Sequence, residues 1–245
     1  MVDRVGSTAP YPVMYLDTSE VRGGTAGASR NAGAAKSSAD VLAFLDDDDQ
    51  WAPTYLAKML SLLSTSESDF VVSWTYHQKG DFRIVGNSMR PAMTFPRALF
   101  PNPGMTGSNF VIRHQAFDQV GGFDPGLRVS NDIDLCARLL REQLTYAVVP
   151  EPLVYQIGHS GEHLTSRGAR RAEALEAYRA KWHNDLSRAQ HRNLRRFYHS
   201  ALRGKDQPLP IRLHHTALQL FYSPPSGLAK GIQLRLKGKR DMFNG

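Results

Sequence analysis

The stretch Val41-Leu42-Ala43-Phe44-Leu45-Asp46-Asp47-Asp48-Asp49-Gln50-Trp51 decides how this chain is read. Five apolar residues in a row, β-branched and aromatic ones among them, predict a buried strand, and a helix is expected to start near Pro53. Four carboxylates lie between the two. Such a strand delivers the acids to a sheet edge, and the crevice beyond the strand ends is where open α/β sheets bind ligands. Adjacent carboxylates repel one another, so a divalent cation is their natural partner, and hard oxygen ligands favour magnesium or manganese. The alternative is a solvated acidic loop that caps the next helix.

Three further segments surround the acid run in order: Gly27-Ala28-Ser29-Arg30-Asn31-Ala32-Gly33, then Gly121-Gly122-Phe123-Asp124, then Asn131-Asp132-Ile133-Asp134-Leu135-Cys136-Ala137-Arg138-Leu139. In this order and spacing the chain resembles family 2 glycosyltransferases of the GT-A fold, over roughly residues 13 to 160. Four ordered motifs are far more specific than any one of them. The resemblance implies an α/β class with a GT-A-like (Rossmann-like) mixed sheet flanked by helices. It also implies an inverting transferase that moves a sugar from a nucleotide-diphosphate donor to the hydroxyl of a glycan, a lipid-linked acceptor or a cell-surface polysaccharide precursor.

By the same resemblance each site residue has an expected role. Arg30, Asn31, Asp46 and Asp47 would meet the donor, with Asp46 nearer the ribose. Asp48 would hold Mn2+ or Mg2+, with the late His159, or else His163, completing its coordination. Asp132 matches the catalytic base, and Gly107, Ser108 and Asn131 line the acceptor side. A UDP-sugar stands ahead of GDP- or dTDP-sugars as donor. The residues themselves leave structural alternatives open. Arg30 can pair with a carboxylate of the acidic run, Asp132 and Asp134 can be first-turn caps of a helix, and Arg138 can be an ion-pair partner. Phe123 reads as core and Asp124 as a turn residue.

Two departures from the pattern matter. Asn131 stands where the family has a Glu, which removes one charge from the acceptor pocket. About two strands and a helix that precede residue 12 in the family have no counterpart in the sequence, so an N-terminally truncated core is expected. That leaves an internal start, a missing piece supplied by another chain, or lost donor binding; an open sheet edge would invite a partner chain or a second copy. The alternative function is therefore a non-catalytic GT-A-like remnant or subunit that binds a glycan, an anionic surface or a partner chain.

A length of 245 residues with 41% hydrophobic and 22% charged residues suits a globular protein of one large or two small domains. The single Cys136 rules out an intrachain disulfide, and no run resembles a leader or a membrane span, so a cytoplasmic protein is expected. Charge is unevenly placed: residues 1–159 hold 13 basic against 17 acidic residues, residues 160–245 hold 17 against 6. The expected organisation is a GT-A-like core over 1–165 and a basic, mainly helical region over 166–245. The basic half could meet phosphate, with peripheral contact at the anionic inner face of a membrane as one form, and a simply solvated helix face is the more common explanation of such a charge run. Specific nucleic-acid binding is not expected, because no reader motif or spaced stacking aromatics accompany the charge.

Along the chain, Pro12–Asp17 reads as a short strand, Ala28 to about Ala39 as a helix of small residues, and Leu56, Met59, Leu60 and Leu63 as the core face of the next helix. Strands are expected at Asp69–Trp74 and Gly107–Arg113, with a loop excursion over 78–104 between them and a short helix, Gln115–Val120, closed by Gly121 and Gly122. Thr145–Val149 and Leu153–Gln156 read as two strands separated by Pro150-Glu151-Pro152. Leu175, Tyr178, Trp182 and Leu186 recur at helical spacing, and 228–237 reads as a basic amphipathic segment.

Overall fold

A ten-residue strand, β3 (Phe70–Lys79), organises the sheet. The structure, a computed structural model, describes residues 11–18, 24–79, 82–86, 88–157, 168–204 and 207–224. Near its start β3 bonds antiparallel to β5 (Phe110–Arg113), and near its end antiparallel to β4 (Phe82–Val85). Along its other edge β6 (Tyr146–Ile157) runs parallel to it. Two three-residue strands extend the sheet: β1 (Val41–Ala43) beyond β5 and β2 (Asp49–Trp51) beyond β6, giving the order β1-β5-β3-β6-β2. This is the mixed α/β sheet that the sequence implied.

Alternation along the strands separates two apolar layers. Val71, Val111, Val149 and Val154 meet Tyr55, Met59 and Leu63 of α2 (Tyr55–Thr65). Phe110, one residue away from Val111, stacks instead with Phe44, and Phe44 also meets Phe117 and Phe123. Among the described residues this unit also holds the helices α1 (Ala26–Lys36), α3 (His114–Gln119) and α4 (Asn131–Arg141). Thr25 caps α1 by accepting the Ala28 N–H at 3.1 Å.

Several local expectations change in the structure. Residues 11–18 form no strand; Met14 and Tyr15 are exposed, and no described strand pairs with them. Ordered pairing in β1 ends at Ala43, so Leu45 lies outside the sheet and is exposed. Leu56 and Leu60 point to solvent, because the buried face of α2 is set by Tyr55, Met59 and Leu63, four residues apart. The two strands expected around Pro150 are one: the register against β3 jumps from Ser73↔Val149 to Trp74↔Pro152, and this irregularity absorbs Pro150-Glu151 without ending the strand. Within the excursion over 78–104, β4 and a short 3-10 helix, Arg97–Leu99, supply regular structure.

A second unit comprises Met93–Pro103 with His159–Gly245; the first comprises Met1–Ala92 with Gly104–Gly158. The second is helical, with α5 (Ala169–Lys181), α6 (Arg188–Leu202) and α7 (Leu209–Phe221). Buried Tyr178 donates its hydroxyl to Leu99 O at 2.7 Å, and Gln190, which closes a capping box with Ser187, donates to Pro96 O and Phe100 O. The segment from the middle of the chain is thereby tied to the helices. The stripe Leu175, Tyr178, Trp182 and Leu186 is buried as its spacing required. No described helix is long and apolar enough to cross a membrane.

Candidate active site

Asp46 to Asp49 form a turn closed by the Asp49 N–H on Asp46 O at 3.1 Å, and the chain then enters β2. The turn folds the acid run back on itself. One carboxylate oxygen each from Asp46, Asp48 and Asp49 comes within 4.8 Å of the others. Oxygens sharing one magnesium ion at about 2.1 Å lie about 3–4.2 Å apart, so small rotations of these three side chains reach a magnesium- or manganese-sized coordination set. Hard carboxylate donors fit that class of ion. Asp47, at the outer corner of the turn, is exposed.

Ser108 holds the turn against the sheet. Its hydroxyl accepts the Asp46 N–H at 3.0 Å and donates to the Asp49 carboxylate, while its carbonyl accepts the Trp51 indole N–H at 2.7 Å. Trp51 in turn stacks on Tyr55, with ring centroids 4.5 Å apart. Burial pushes the Asp49 carboxyl up to about 6; the Ser108 bond opposes this, repulsion from Asp46 and Asp48 adds to it, and Arg30 relieves it. Arg30 forms an ion pair with Asp46 and lies over the Phe123 ring at 5.2 Å. Gly107 makes room for that pair, since a Cβ there would sit 2.8 Å from the Arg30 Cζ and 3.0 Å from Asp46 Oδ2.

Asp132 stands in the first turn of α4. Ser130, at its N-cap, adopts φ 61°, a left-handed conformation that costs a non-glycine residue about 1–2 kcal/mol. Asp132 Oδ1 accepts the Ile133 N–H at 2.8 Å. Burial pushes its carboxyl up to about 6, the Ile133 bond and the Arg30 charge lower it, and the Asp46 charge raises it. The carboxylate of α4 thus shares one electrostatic neighbourhood with the Arg30–Asp46 pair, 86 positions or more away in sequence. A carboxyl poised near neutrality beside a turn of three clustered carboxylates can take a proton from a hydroxyl.

Other expected site residues are engaged locally. Asn31 clasps the backbone of Phe123, donating to its O at 2.7 Å and accepting from its N at 2.8 Å. Gly122, at φ +67°, allows this approach; a Cβ there would lie 2.7 Å from Asn31 Oδ1. Asn131 is buried with its amide beside Gly27. Arg138 bonds Asp134 Oδ2 and Val120 O, the ion-pair role left open by the sequence. Phe123 is core, and Asp124 closes a turn through Gly126 N. His159 and His163 lie outside the described residues. The sequence reading missed Asp49 as a third carboxylate. No pattern in the sequence singles Asp49 out among the four adjacent acids.

A mixed sheet with an acid turn at one strand end and a helix-borne carboxylate within its electrostatic reach defines a GT-A-like α/β protein. The model of the glycosyltransferase-like family 2 matches residues 11–206, and the chain belongs to that family. An uncharacterised glycosyltransferase of Haemophilus influenzae is 29% identical over 158 residues, 61% of this chain and 52% of that protein. The chain therefore spans about half the length of that curated relative. Among solved structures, Staphylococcus aureus TarS aligns at a TM-score of 0.52 and 16% identity over 82% of this chain and 34% of its own. Its 1–349 fragment in complex with UDP aligns at 0.50 and 14% identity, over 90% and 56%. At such identities the likeness concerns the fold.

Proposed function

We propose that this chain is an inverting, metal-dependent glycosyltransferase that takes a nucleotide-sugar donor, UDP-linked first, and a glycan or lipid-linked acceptor. One observation carries the reading: Asp132 shares its electrostatic surroundings with the Arg30–Asp46 pair beside the three-carboxylate turn. Asp48 and Asp49 would hold Mn2+ or Mg2+, with Asp46 shared between ion and Arg30. When bound, the ion supplies positive charge against the leaving diphosphate. Arg30 and Asp46 orient the nucleotide, and Ser108 keeps the turn in register. The Asp132 carboxylate takes the proton of the acceptor hydroxyl as its oxygen bonds to the anomeric carbon; the bond from that carbon to the diphosphate oxygen breaks, on the opposite face. Gly107 and Asn131 remain candidates for the acceptor side, and Asn31 and Asp47 for the donor side. A cytoplasmic place of action fits the single cysteine.

Calorimetric titration with UDP and with GDP, with and without manganese, tests the donor site. UDP has priority because the TarS fragment of similar fold was solved with it. Metal-dependent binding that is lost in Asp48→Asn supports the reading. Absence of binding to either nucleotide favours the non-catalytic alternative, a GT-A-like subunit that binds a glycan or a partner chain.

A further inference from the structure

Helix α7 is built the wrong way round for a helix that ends on a protein core. Leu209, Leu213, Leu220 and Phe221 are 63%, 60%, 51% and 71% exposed, and no residue of the helix is buried. At about 100° per residue, Leu209, Leu213 and Leu220 fall within about 40° of one another, with Ala217 and Phe221 widening the same stripe. The opposite face makes the helix's polar contacts with α6. His215 Nδ1 meets His199 Nδ1 at 3.1 Å, and the His199 ring stacks on Tyr222. Arg192 donates to the carbonyls of Phe221, Tyr222 and Ser223 at the C-terminus of α7, where cationic donors complement the helix dipole. Arg195 donates to the Tyr222 hydroxyl at 3.1 Å. These contacts fix the orientation that turns the leucines outward.

Charge selects the occupant of that stripe. Neither α6 nor α7 carries a single Asp or Glu, and residues 187–245 hold 12 Lys and Arg against 2 acidic residues. The 21 residues from 225 to 245 contribute Lys230, Arg235, Lys237, Lys239 and Arg240 against Asp241 alone. A second copy would bring together two C-terminal regions that each carry 12 Lys and Arg against 2 acidic residues over 187–245. An anionic lipid surface satisfies both features, taking an apolar stripe at the acyl boundary and basic residues at the headgroups.

We propose that the exposed stripe of α7, Leu209, Leu213, Leu220 and Phe221, is a membrane-docking surface that seats the basic C-terminal region on anionic lipid. It is independent of sugar transfer, and it locates the peripheral contact on a helix whose sequence carries few charges, upstream of the basic 228–237 segment.

The test is co-sedimentation of the full chain with phosphatidylcholine vesicles, with and without phosphatidylglycerol, alongside light scattering of the free protein. The expected result is partitioning that requires phosphatidylglycerol, weakens with salt, and falls about tenfold or more in the double variant Leu213→Glu/Leu220→Glu. Both positions are exposed, so the variant should keep the circular dichroism and melting temperature of the parent, and its UDP binding serves as an independent control. Unchanged partitioning of the variant, or equal binding to neutral vesicles, overturns the assignment. So does a dimer in the parent that becomes a monomer in the variant, because the stripe would then belong to a second copy.

Discussion

Replacing Asp132 with asparagine should make the protein more stable and far less active. The carboxyl is raised from 3.8 to about 6 on folding, chiefly by burial. An acid whose pKa rises on folding binds its proton more readily in the folded chain. Its effect on stability is therefore absent below about pH 4 and grows as an unfavourable contribution between pH 4 and 6, remaining in full above that. The ceiling is about 3 kcal/mol at about 1.36 kcal/mol per pKa step, and partial contact with solvent trims it to about 1–2 kcal/mol. Asparagine is close in size, and its Oδ1 can still accept the Ile133 N–H that Asp132 accepts at 2.8 Å. Urea unfolding at pH 7.5 should accordingly show Asp132→Asn more stable than the parent, with the difference vanishing near pH 4. Sugar transfer, followed as acceptor-dependent release of UDP, should fall about 10²–10⁴-fold in kcat, with donor affinity little changed. In the parent, kcat should climb as pH rises towards about 6 and then level, because the base works only when deprotonated. A variant that is less stable at pH 7.5, or a stability gap that persists at pH 4, would refute the burial argument and make Asp132 a structural cap.

The remaining predictions address the turn and its support. Asp48→Asn and Asp49→Asn should each weaken manganese-dependent UDP binding on the order of tenfold or more in calorimetry, and Asp47→Asn, exposed and outside the carboxylate cluster, should weaken it less. Equal losses at all three positions would show that the turn does not sort its carboxylates as described. Gly107→Ala and Gly33→Ala add the same methyl group with opposite results. Gly33, with open space around its Cβ direction in α1, should gain up to about 1 kcal/mol in thermal or urea unfolding. Gly107→Ala should lose about 1–3 kcal/mol, and weaken UDP binding, by pushing Arg30 off Asp46; a neutral result would mean that the guanidinium simply moves aside. Asn31→Ala should cost about 2–3 kcal/mol through the two Phe123 backbone groups it strands, and unchanged unfolding would assign that clasp no weight.

Much of the fold was legible because local rules coincide with the tertiary result. The small residues after Thr25, the glycines closing α3 and the apolar spacing of α4 and α5 describe elements whose own sequence selects them. Misreadings cluster where a neighbour decides. Residues 12–17 have strand-like composition and no described partner strand, and a strand exists only by pairing. Pro150 would end an isolated strand, yet a register shift against β3 carries β6 through it. For α2, helical spacing alone could not choose between Leu56-Leu60 and Tyr55-Met59 as the inner face, because both pairs recur at four residues; the valines of β3, β5 and β6 made the choice.

For the site, residue types in order were enough to identify an acid turn, an arginine and a helix-borne aspartate as belonging together, and to anticipate the α/β fold and the family. What the sequence could not express is distance. The turn between Asp46 and Asp49 brings the third carboxylate inward, and the Ser108 hydroxyl, 62 positions away from Asp46, and the pairing of β2 with β6 hold it there. The raised Asp132 carboxyl is likewise a tertiary effect: burial raises it, and of the distant ion pair the Arg30 charge lowers it while the Asp46 charge adds to the rise. The same holds for α7, whose leucines the contacts of His215 and Tyr222 with α6 turn to the outside. Sequence determines which surfaces a segment can offer, and long-range packing determines which of them is left for a ligand to meet.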